Sequence, residues 1–416
     1  MEKKTITWER FVSKEEEGNY ISVPFAMPEN VEEIKLSYEY DRSQNVIDLG
    51  LADGNGGFIG WSGSNRKSVT VSERKSSAGF APCALNGGLW NALLGAYKVQ
   101  EHGVLVTYTA ELTMKSLRLL KGDPHLHSCG SDGNMTTDEL AFVAEKEGLD
   151  YLFITDHNNY AHNYQLRSTD SVTLIPGVEW TNYKGHAGLL GRRRPFQKFT
   201  SNSPEETNEI LETARNAGAL VVLNHPFCPY CGWKWGLDNG NFDLIEIWNG
   251  ALSMEHNLQC LDWWDQQLKL GKEIPITGGS DFHQIEAGRM MAMPCTCVYS
   301  MSNTAADILE ALKMGNSFVT LSPDGPMLET DDTGILPGNH VPANTSVTLK
   351  LCGLKKNDRL RLIWKDGRDE ILATESSMEL TRTLPAEGYL RLEIRRRLWP
   401  EGEMIPVFLS NPFYMI

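Results

Sequence analysis

The chain has 416 residues, which is too long for one ordinary globular core and is typical of two or three domains. Charged residues make up 22% of it and the hydrophobic set 41%, a composition typical of a folded protein and not of a disordered one. The 54 acidic and 39 basic residues leave a net charge of -15, which repels nucleic-acid backbones and anionic membranes and so disfavours a nucleic-acid polymer as substrate.

The beginning of the chain and its apolar runs bear on where the protein resides. The first residues, MEKKTITWERF, contain no apolar segment of the kind found in secretion signals. No run of apolar residues is long enough to cross a bilayer. We therefore predict a cytoplasmic protein that does not engage a membrane, whose oligomeric state the sequence leaves open.

The cysteines are predicted to be thiols. Eight of them in a chain of this size, without a secretion signal, are more typical of reduced cysteines than of a disulfide framework. Cys228 and Cys231, in FCPYCGW, have the CxxC spacing, and together with Cys295 and Cys297 they could complete a structural zinc site. Neither pair has the local ribbon context of such sites, so we interpret all four as core or surface thiols.

Residues 1–117 are predicted to form a β-sandwich-like domain. Apolar and polar residues alternate with period two in the segments IKLSYEY and VLVTYT, as expected of strands with one buried face. Glycine-rich segments such as ADGNGGFIGWSGSN separate the strands as turns and long loops. A two-sheet sandwich is the simplest arrangement that fits this pattern.

Residues 118–322 change to short apolar strands separated by helices. Thr136 or Thr137 can cap a helix that ends at Gly148, and the strand YLFIT follows it. Ser203 and Pro204 begin a second helix that leads into the strand ALVVLN. FDLIEIW and IPITGG are predicted to be later strands, and TAADILEALKMG the last helix. This repeated alternation predicts an α/β fold with a parallel sheet or a TIM-like β/α barrel.

Residues 323–416 return to alternation of period two. The segments SVTLKLCG, RLRLIW and YLRLEIRRR show it, with turn residues between them. The final residues, PFYMI, are too apolar to be a loose end. We therefore predict a C-terminal β domain that flanks the central one.

A pair of histidines lies at the start of the central domain. His125 and His127 form an HxH pair in KGDPHLHSCGSDG, and Asp132 follows in the same loop. Side chains repeat every two residues along an extended segment, so both imidazoles point to the same side. Two neutral imidazoles that face one point make a metal chelate.

Further histidines and acids follow the apolar strands of the central domain. In a β/α barrel the carboxyl ends of the strands converge, so that residues remote in sequence become neighbours. Six of the ten histidines lie in such motifs, an arrangement that unrelated core or surface histidines would rarely produce. The predicted metal ligands are His125, His127, Asp132, His157, Glu179, His186, His225, Asp281 and His283.

This ligand set indicates a chemistry. Nine ligands exceed what one ion needs, which predicts two or three divalent ions with Glu179 as the bridging carboxylate. A mixed nitrogen and oxygen set without thiolate suits zinc, manganese or iron and does not choose among them. Clustered divalent ions lower the pKa of a bound water and hold the attacking and leaving oxygens of an in-line displacement. The sequence therefore predicts a metal-dependent hydrolase.

The same motifs resemble the PHP family, named for polymerase and histidinol phosphatase. HxH with SDG, TDHN, GVE, a following His, NHP and GSDxH occur in that order between about Lys121 and Thr320. The resemblance implies a distorted β/α barrel with two or three metals, and all its ligand positions are filled here. We predict that a metal-bridged hydroxide attacks phosphorus in a small phosphate mono- or diester. The catalytic residues would be Asp281, His186 and Glu179, with Asp281 or His186 passing a proton to the leaving group.

A second resemblance extends over nearly the whole chain. DLGLADGNGGFIGWSG, GGLWNALLGAYKV, EWTNYKGHAGLLG, IEIWNG and LSNPFYM look like segments of the CehA/McbA metallohydrolase group, in which β segments flank a PHP barrel. That group includes carbamate and aryl-ester hydrolases, so a carbamate or carboxylic ester is an alternative substrate. A non-enzymatic, metal-stabilised binding protein is a further alternative. The full ligand set counts against it, because structural sites are usually closed with four ligands.

Two cations are candidates for holding the substrate. Lys184 lies just before His186, and Arg289 lies shortly after His283. Either could bind a substrate phosphate through charge-assisted hydrogen bonds. Solvated loop charges are an equally good interpretation of both residues.

Overall fold

The computed structural model describes residues 2–237, 242–250, 252–285, 290–329, 334–383 and 388–416, and the chain divides into two compact units. The first ends at Leu117 and the second begins at Arg118, which coincides with the boundary predicted at residue 117. None of the helices formed by these residues has the length and apolar character needed to cross a membrane.

The first unit consists of antiparallel strands in two four-stranded sheets, ordered β1-β8-β3-β6 and β2-β7-β4-β5. The inward-facing residues of both sheets, such as Phe25 and Leu36, belong to one hydrophobic core, as in a β-sandwich. The strands are β1 (Lys3–Val12), β2 (Tyr20–Met27), β3 (Val31–Glu39), β4 (Val46–Ala52), β5 (Phe58–Ser62), β6 (Ser68–Ser72), β7 (Gly88–Lys98) and β8 (Val104–Met114).

The second unit begins with the predicted alternation of strands and helices. Three of its helices begin at the expected kind of residue: the Thr136, Ser203 and Thr304 side chains each accept a hydrogen bond from a first-turn amide. The elements are β9 (Arg118–Leu126), α1 (Thr137–Lys146), β10 (Tyr151–Ile154), β11 (Thr173–Asn182), β12 (Gly185–Leu190), α2 (Pro204–Asn216), β13 (Leu220–Asn224), β14 (Leu244–Asn249), α3 (Met254–Lys269), β15 (Ile276–Gly279), β16 (Cys295–Ser300), α4 (Ala305–Lys313) and β17 (Ser317–Thr320). Short 3-10 helices occur at Lys14–Glu16 and His162–Tyr164.

Short strands then continue to the C-terminus. They are β18 (Met327–Glu329), β19 (His340–Val341), β20 (Ser346–Cys352), β21 (Arg359–Trp364), β22 (Gly367–Leu372), β23 (Ser377–Thr383), β24 (Gly388–Arg397), β25 (Met404–Ser410) and β26 (Phe413–Met415). Strands β18, β20 and β23 form a small antiparallel sheet. The main sheet of the unit includes the other six of these strands, β19, β21, β22, β24, β25 and β26.

The main sheet runs in the order β15-β14-β13-β12-β11-β10-β9-β16-β17-β25-β24-β21-β22. Strands β9, β10 and β11 are parallel neighbours, and so are β13, β14 and β15, while β12 lies antiparallel between the two groups. The predicted α/β class is therefore confirmed. A closed barrel stays a prediction, because β15 lies at one end of this path.

The C-terminal strands do not form the separate compact unit that was expected for residues 323–416. Strand β25 pairs with β17, so the tail extends the main sheet. The Asn411 side chain accepts a hydrogen bond from the Ile276 amide at 2.9 Å and donates one to the Ser317 hydroxyl at 2.8 Å. Antiparallel strands of period two can extend an existing sheet as readily as build a new one, so the change in periodicity near residue 321 does not by itself fix a domain boundary.

A buried ion-pair network joins α3 to the C-terminal strands. The Arg391 guanidinium, 1% exposed, donates two hydrogen bonds of 2.8 Å to Asp265 and one of 3.1 Å to Glu393. We expect Arg391→Ala to lower the free energy of unfolding by about 3–5 kcal/mol in denaturant titrations, because it breaks a buried ion pair. The Asp265 carboxylate loses its two hydrogen bonds from Arg391, and Glu393 keeps only the arginines that face its Oε1 atom, Arg361 and Arg395.

An exposed arginine provides the control for this prediction. Arg359 pairs with Glu370 at 3.2 Å, but its side chain is 45% exposed. Arg359→Ala should cost less than about 1 kcal/mol, as exposed pairs usually do. Equal losses from the two substitutions would contradict the importance of the buried network.

Candidate metal centre

The predicted ligands converge where strands of the second unit end. Neighbouring parallel strands bring their carboxyl ends to one edge of the sheet. Glu179 lies within β11 and forms an isolated parallel bridge with His157, which follows β10. The other ligands of this edge are His125 in β9, His127 after β9, His225 after β13, and Asp281 and His283 after β15.

His186 reaches the same edge from the opposite strand end. The sequence placed it at or beyond the carboxyl end of a strand, but it is the second residue of β12. That expectation was wrong because β12 runs antiparallel to β11, with His186 opposite Thr181. The amino end of β12 therefore lies beside the carboxyl end of β11, and His186 still comes close to Glu179.

The Glu179 carboxylate is the centre of the cluster. Its side chain is fully buried, and imidazole nitrogens of five histidines surround its two oxygens. The nitrogen-to-oxygen distances are 2.9 Å for His157 Nδ1, 3.0 Å for His225 Nε2, 3.2 Å for His186 Nδ1, 3.3 Å for His125 Nε2 and 3.6 Å for His127 Nε2. One carboxylate thus faces five of the predicted ligands, and its bridging role stays a prediction.

Asp281 adds a second carboxylate to the inner cluster. Its Oδ1 lies 3.0 Å from His127 Nε2 and 3.4 Å from His125 Nε2. Asp281 and His225 both have positive φ, of 53° and 28°. Strained backbone at a residue that is not glycine is held in place by its surroundings and is concentrated at functional sites.

A more exposed cluster adjoins the inner one. Asp132 Oδ1 lies 3.3 Å from His283 Nε2, and Asp132 Oδ2 lies 3.6 Å from His157 Nε2. The Asp132 side chain is 59% exposed, whereas Glu179 is buried. His157 lies between the clusters, because its Nδ1 faces Glu179 and its Nε2 faces Asp132. The site is therefore open to solvent on the side of Asp132.

The donor set fits divalent cations. His125 Nε2, His127 Nδ1 and Glu179 Oε2 are buried and make no hydrogen bond of good geometry, although oppositely polar atoms lie near them. Buried polar atoms without partners are costly. Ligands that share one tetrahedral zinc at about 2.1 Å lie about 3.4 Å apart, which is within the spread of distances here. Ions between these atoms would satisfy them, and several overlapping groups of ligands are present.

The charges of the cluster shift the pKa values of its members. Burial would raise the pKa of Glu179, but the surrounding imidazoles of His125 and His186 hold it well below its usual range. Burial lowers the pKa of His125, yet the carboxylates of Glu179, Glu246 and Asp281 raise it well above its ordinary value. Without metals this histidine therefore keeps a proton that a bound cation would displace.

Asp281 is held in its ionised form. Burial would raise the pKa of its carboxyl group, but His125 and His127 hold it well below its ordinary value. An ionised carboxylate accepts protons and donates none. An ionised carboxylate can bind a cation, and the role of Asp281 in proton transfer to the leaving group stays a prediction.

Glu246 in β14 is a site residue that the sequence analysis missed. Its Oε1 lies 2.8 Å from His125 Nδ1, and its Oε2 accepts hydrogen bonds from the His225 amide at 2.8 Å and from Asn249 Nδ2 at 3.1 Å. Accepting the Nδ1 proton of His125 leaves the Nε2 lone pair for a metal. A Cβ at Gly279 would lie 2.7 Å from this carboxylate, so the packing requires glycine there. The one acid within the buried strand LIEIWN, Leu244–Asn249, could have revealed Glu246.

Asp123 in β9 was missed as well. Its buried carboxylate accepts hydrogen bonds from the amides of Ser280 at 3.1 Å and Ala292 at 2.8 Å, and from the Ser280 hydroxyl. Burial raises the pKa of Asp123 to about 6 despite these bonds. Asp123 thereby fixes the chain on both sides of the segment that carries Asp281 and His283.

Of the two residues predicted to bind the substrate, the structure describes Lys184 only. Lys184 lies between β11 and β12, and its Nζ lies 4.6 Å from the centroid of the Trp235 ring, in a cation–π contact. Arg289 falls outside the described residues. A phosphate-binding role for either residue stays a prediction.

We expect Glu246→Gln to weaken metal binding by about 10–100-fold. The glutamine side-chain amide is a weaker acceptor for the Nδ1 proton of His125 than the carboxylate, and its NH2 group can turn towards that proton and repel it. Titration of metal-free protein with Zn²⁺ against a competing chelator measures the change. Glu147→Gln, on an exposed residue at the end of α1, is the matched control. An unchanged affinity in Glu246→Gln would show that Glu246 does not support the centre.

Comparison with known proteins places this geometry in context. No family model matches the chain. The DNA polymerase/3'-5' exonuclease PolX of Bacillus subtilis is 39% identical over 225 residues, which covers 45% of this chain and 39% of PolX. The chain therefore spans well under half the length of that relative.

Solved structures of low sequence identity are also similar. A two-domain protein of Bacteroides vulgatus, described as containing a predicted PHP-like metal-dependent phosphoesterase, is 19% identical with a TM-score of 0.41 over 70% of this chain and 95% of that chain. An amidohydrolase of Chromobacterium violaceum is 15% identical with a TM-score of 0.29 over 40% of this chain and 89% of that chain.

Proposed function

We propose that this protein is a metal-dependent phosphoesterase that hydrolyses a small phosphate mono- or diester. The observation that carries the proposal is the buried Glu179 carboxylate, which faces five histidines and adjoins the more exposed group of Asp132, His157 and His283. A closed structural site needs four ligands. This larger, solvent-accessible set is suited to catalysis.

The residues of the centre would bind ions at two positions, one buried and one exposed. Glu179, His125, His127 and Asp281 would hold ions at the buried end, and Asp132, His157 and His283 at the exposed end. Such ions supply an activated water and neutralise charge that develops on the phosphoryl oxygens. The ester would enter beside Asp132. Its side chain, 59% exposed, is the most exposed among the nine predicted ligands.

Hydrogen bonds to neighbouring groups hold the ligand side chains in their orientations. The Nδ1 proton of His283 is donated to the carbonyl oxygen of Asp281 at 2.7 Å, so Nε2 faces Asp132. The Asn224 side chain donates to Glu179 Oε1 at 2.9 Å. His186 Nδ1 faces Glu179, and we propose that its other nitrogen serves the leaving group. Fixed ligands of this kind lower the reorganisation needed during the reaction.

The sequence relatives support the phosphoester over other esters. The exonuclease activity in the name of PolX is phosphodiester hydrolysis, and the ordered motifs of residues 121–320 resemble the PHP family. We infer that residues 118–322 form a PHP-type domain with a distorted β/α barrel. Membership of the CehA/McbA group, and with it a carbamate or carboxylic ester substrate, is the alternative. The net charge of -15 favours a small substrate over a nucleic-acid polymer.

A panel of chromogenic esters tests the proposal. Protein reconstituted with Zn²⁺, Mn²⁺ or Fe²⁺ is assayed on p-nitrophenyl phosphate, bis(p-nitrophenyl) phosphate and p-nitrophenyl acetate, beside the His127→Ala variant. We expect turnover of a phosphate ester that His127→Ala loses, and the preferred ester tells a mono- from a diesterase. Turnover of the acetate alone would overturn the proposal and favour the carboxylic-ester alternative.

A further inference from the structure

The loop after β13 places two cysteines beside a ligand of the metal centre. The Sγ atoms of Cys228 and Cys231 lie 3.0 Å apart. Cys231 Sγ also lies 3.7 Å from Nδ1 of His225, whose Nε2 faces Glu179 Oε1 at 3.0 Å. The Cys228 amide donates to the His225 carbonyl oxygen at 2.9 Å, so the loop that carries the cysteines is tied to this ligand.

We propose that Cys228 and Cys231 are a reversible redox pair whose disulfide weakens metal binding at the centre through His225. The inference requires a metal centre at Glu179 but does not depend on which ester the protein hydrolyses.

The sulfur separation favours a disulfide over a shared metal ion. Two thiolates on one tetrahedral zinc, at about 2.3 Å each, lie about 3.8 Å apart. The observed 3.0 Å is shorter than this and leaves about 1 Å to close to the S–S bond length. A zinc site built from all four cysteines, which the sequence analysis set aside, has no support among the described residues either, because the candidate ligand groups do not combine the two cysteine pairs.

The pair is accessible to a small oxidant. Both cysteines are half-buried, and the residues between them, Pro229 and Tyr230, are exposed. Cys295 and Cys297 differ from them, because their sulfurs lie 3.9 Å apart and both residues are fully buried. Thiol–disulfide exchange requires that the oxidant reach the sulfur atom. Of these two cysteine pairs, only Cys228 and Cys231 are exposed enough for this.

A low-molecular-weight disulfide such as glutathione disulfide would be the oxidant. One cysteine thiolate attacks it, forming a mixed disulfide and releasing one glutathione thiolate. The second cysteine thiolate then attacks the protein sulfur of the mixed disulfide and releases the second glutathione thiolate. The two cysteines lose two electrons and their two thiol protons, and the oxidant gains them as two thiols.

Oxidation of the cysteines would affect the metal centre by changing the contact between Cys231 and the Nδ1 atom of His225. In the reduced protein Cys231 Sγ is the sulfur that faces this atom and can accept its proton, which leaves Nε2 directed at Glu179. Forming the S–S bond draws Cys231 Sγ towards Cys228 and makes it a poorer acceptor. His225 has strained backbone, with φ of 28°, so it depends on such contacts for its orientation. Loss of a partner of this kind typically costs 10–100-fold in metal affinity.

Thiol state and metal affinity, both read without substrate, test the proposal. Reduced protein and protein equilibrated with glutathione disulfide are analysed by thiol alkylation with mass spectrometry, and then titrated with Co²⁺ by visible absorbance. We expect an intramolecular Cys228–Cys231 disulfide, a 10–100-fold weaker Co²⁺ affinity, and recovery of both on adding dithiothreitol. Free thiols after oxidation, or an unchanged affinity in the disulfide form, would overturn the proposal.

Single substitutions distinguish two roles of the cysteines: forming the Cys228–Cys231 disulfide and orienting His225 through Cys231. Cys228→Ser should bind Co²⁺ as tightly as the reduced wild type and become insensitive to the oxidant, whereas Cys231→Ala should bind weakly under both conditions. Cys83→Ser, at a partly buried cysteine of the first unit, is the control and should keep the oxidant response. A sulfur-to-cobalt charge-transfer band in the reduced protein would make Cys231 a direct ligand and would also overturn the proposal. Because no ester is used, these outcomes do not depend on the phosphoesterase assignment.

Discussion

Replacing Glu179 with glutamine is expected to lower kcat/KM for the preferred ester roughly a thousandfold and to remove metal from the protein. The carboxylate is fully buried and faces five imidazoles, so the substitution withdraws the negative charge that the whole cluster shares. Metals in such sites contribute several kcal/mol to transition-state stabilisation, and each 1.36 kcal/mol is about tenfold in rate. Metal analysis by mass spectrometry and steady-state kinetics measure both effects.

The shape of the side chain is kept in this variant, which makes the test one of charge. Glu147→Gln removes the same charge from an exposed helix end and should change neither metal content nor rate. A Glu179→Gln protein that retained its metals and its turnover would show that Glu179 is a structural carboxylate and does not bridge ions.

Removing metals with a chelator is expected to abolish turnover and to destabilise the second unit, with both restored by adding back the divalent ion. Ions that bind only the folded protein stabilise it by about 2.7 kcal/mol each when present at a hundredfold excess over Kd. The metal-free protein also keeps buried atoms, such as His125 Nε2 and Glu179 Oε2, that make no hydrogen bond of good geometry. Thermal unfolding with and without Zn²⁺ or Mn²⁺ measures the shift.

The Asp281→Ala variant controls for nonspecific effects of the ion. It lacks a carboxylate that lies 3.0 Å from His127 Nε2, so its unfolding temperature should respond much less to the added metal. If wild type and variant gained the same stability from metal, the ions would be bound elsewhere on the chain.

The sequence predicted the ligand cluster because its members follow strands in a recognisable order. The HxH spacing of His125 and His127 and the two acids, Glu179 in β11 and Asp281 after β15, could be identified before any geometry was known. Parallel strands bring their carboxyl ends together, so the order of motifs was sufficient to bring these residues into one group. The direction of β12 was not evident, because an antiparallel insertion between parallel strands leaves no mark in the hydrophobic pattern.

The supporting residues were harder to predict for a physical reason. Glu246 and Cys231 act through contacts across the fold, at 2.8 Å to His125 Nδ1 and 3.7 Å to His225 Nδ1, and no periodicity encodes such contacts. The same holds for Arg391, whose partner Asp265 lies on a helix 126 positions away in the chain. Local patterns predict which face a residue occupies, whereas pairing between elements depends on the complete fold.

The C-terminal strands show the same limit of local patterns. Alternation of period two predicted strands correctly at β20, β21 and β24, but it does not specify the sheet that a strand joins. Pairing of β25 with β17 and the hydrogen bonds of Asn411 attach the tail to the main sheet. Residues 323–416 are therefore part of the unit that carries the candidate centre.

The most direct test of the account is a crystal structure of the zinc-loaded protein with anomalous diffraction data recorded at the zinc edge. We predict two or three anomalous peaks, with at least one about 2.0–2.2 Å from a Glu179 carboxylate oxygen and another within the same distance of Asp132 or His283. Zinc found only at other positions, or no zinc near Glu179 after loading, would contradict the central claim that these residues form a metal centre.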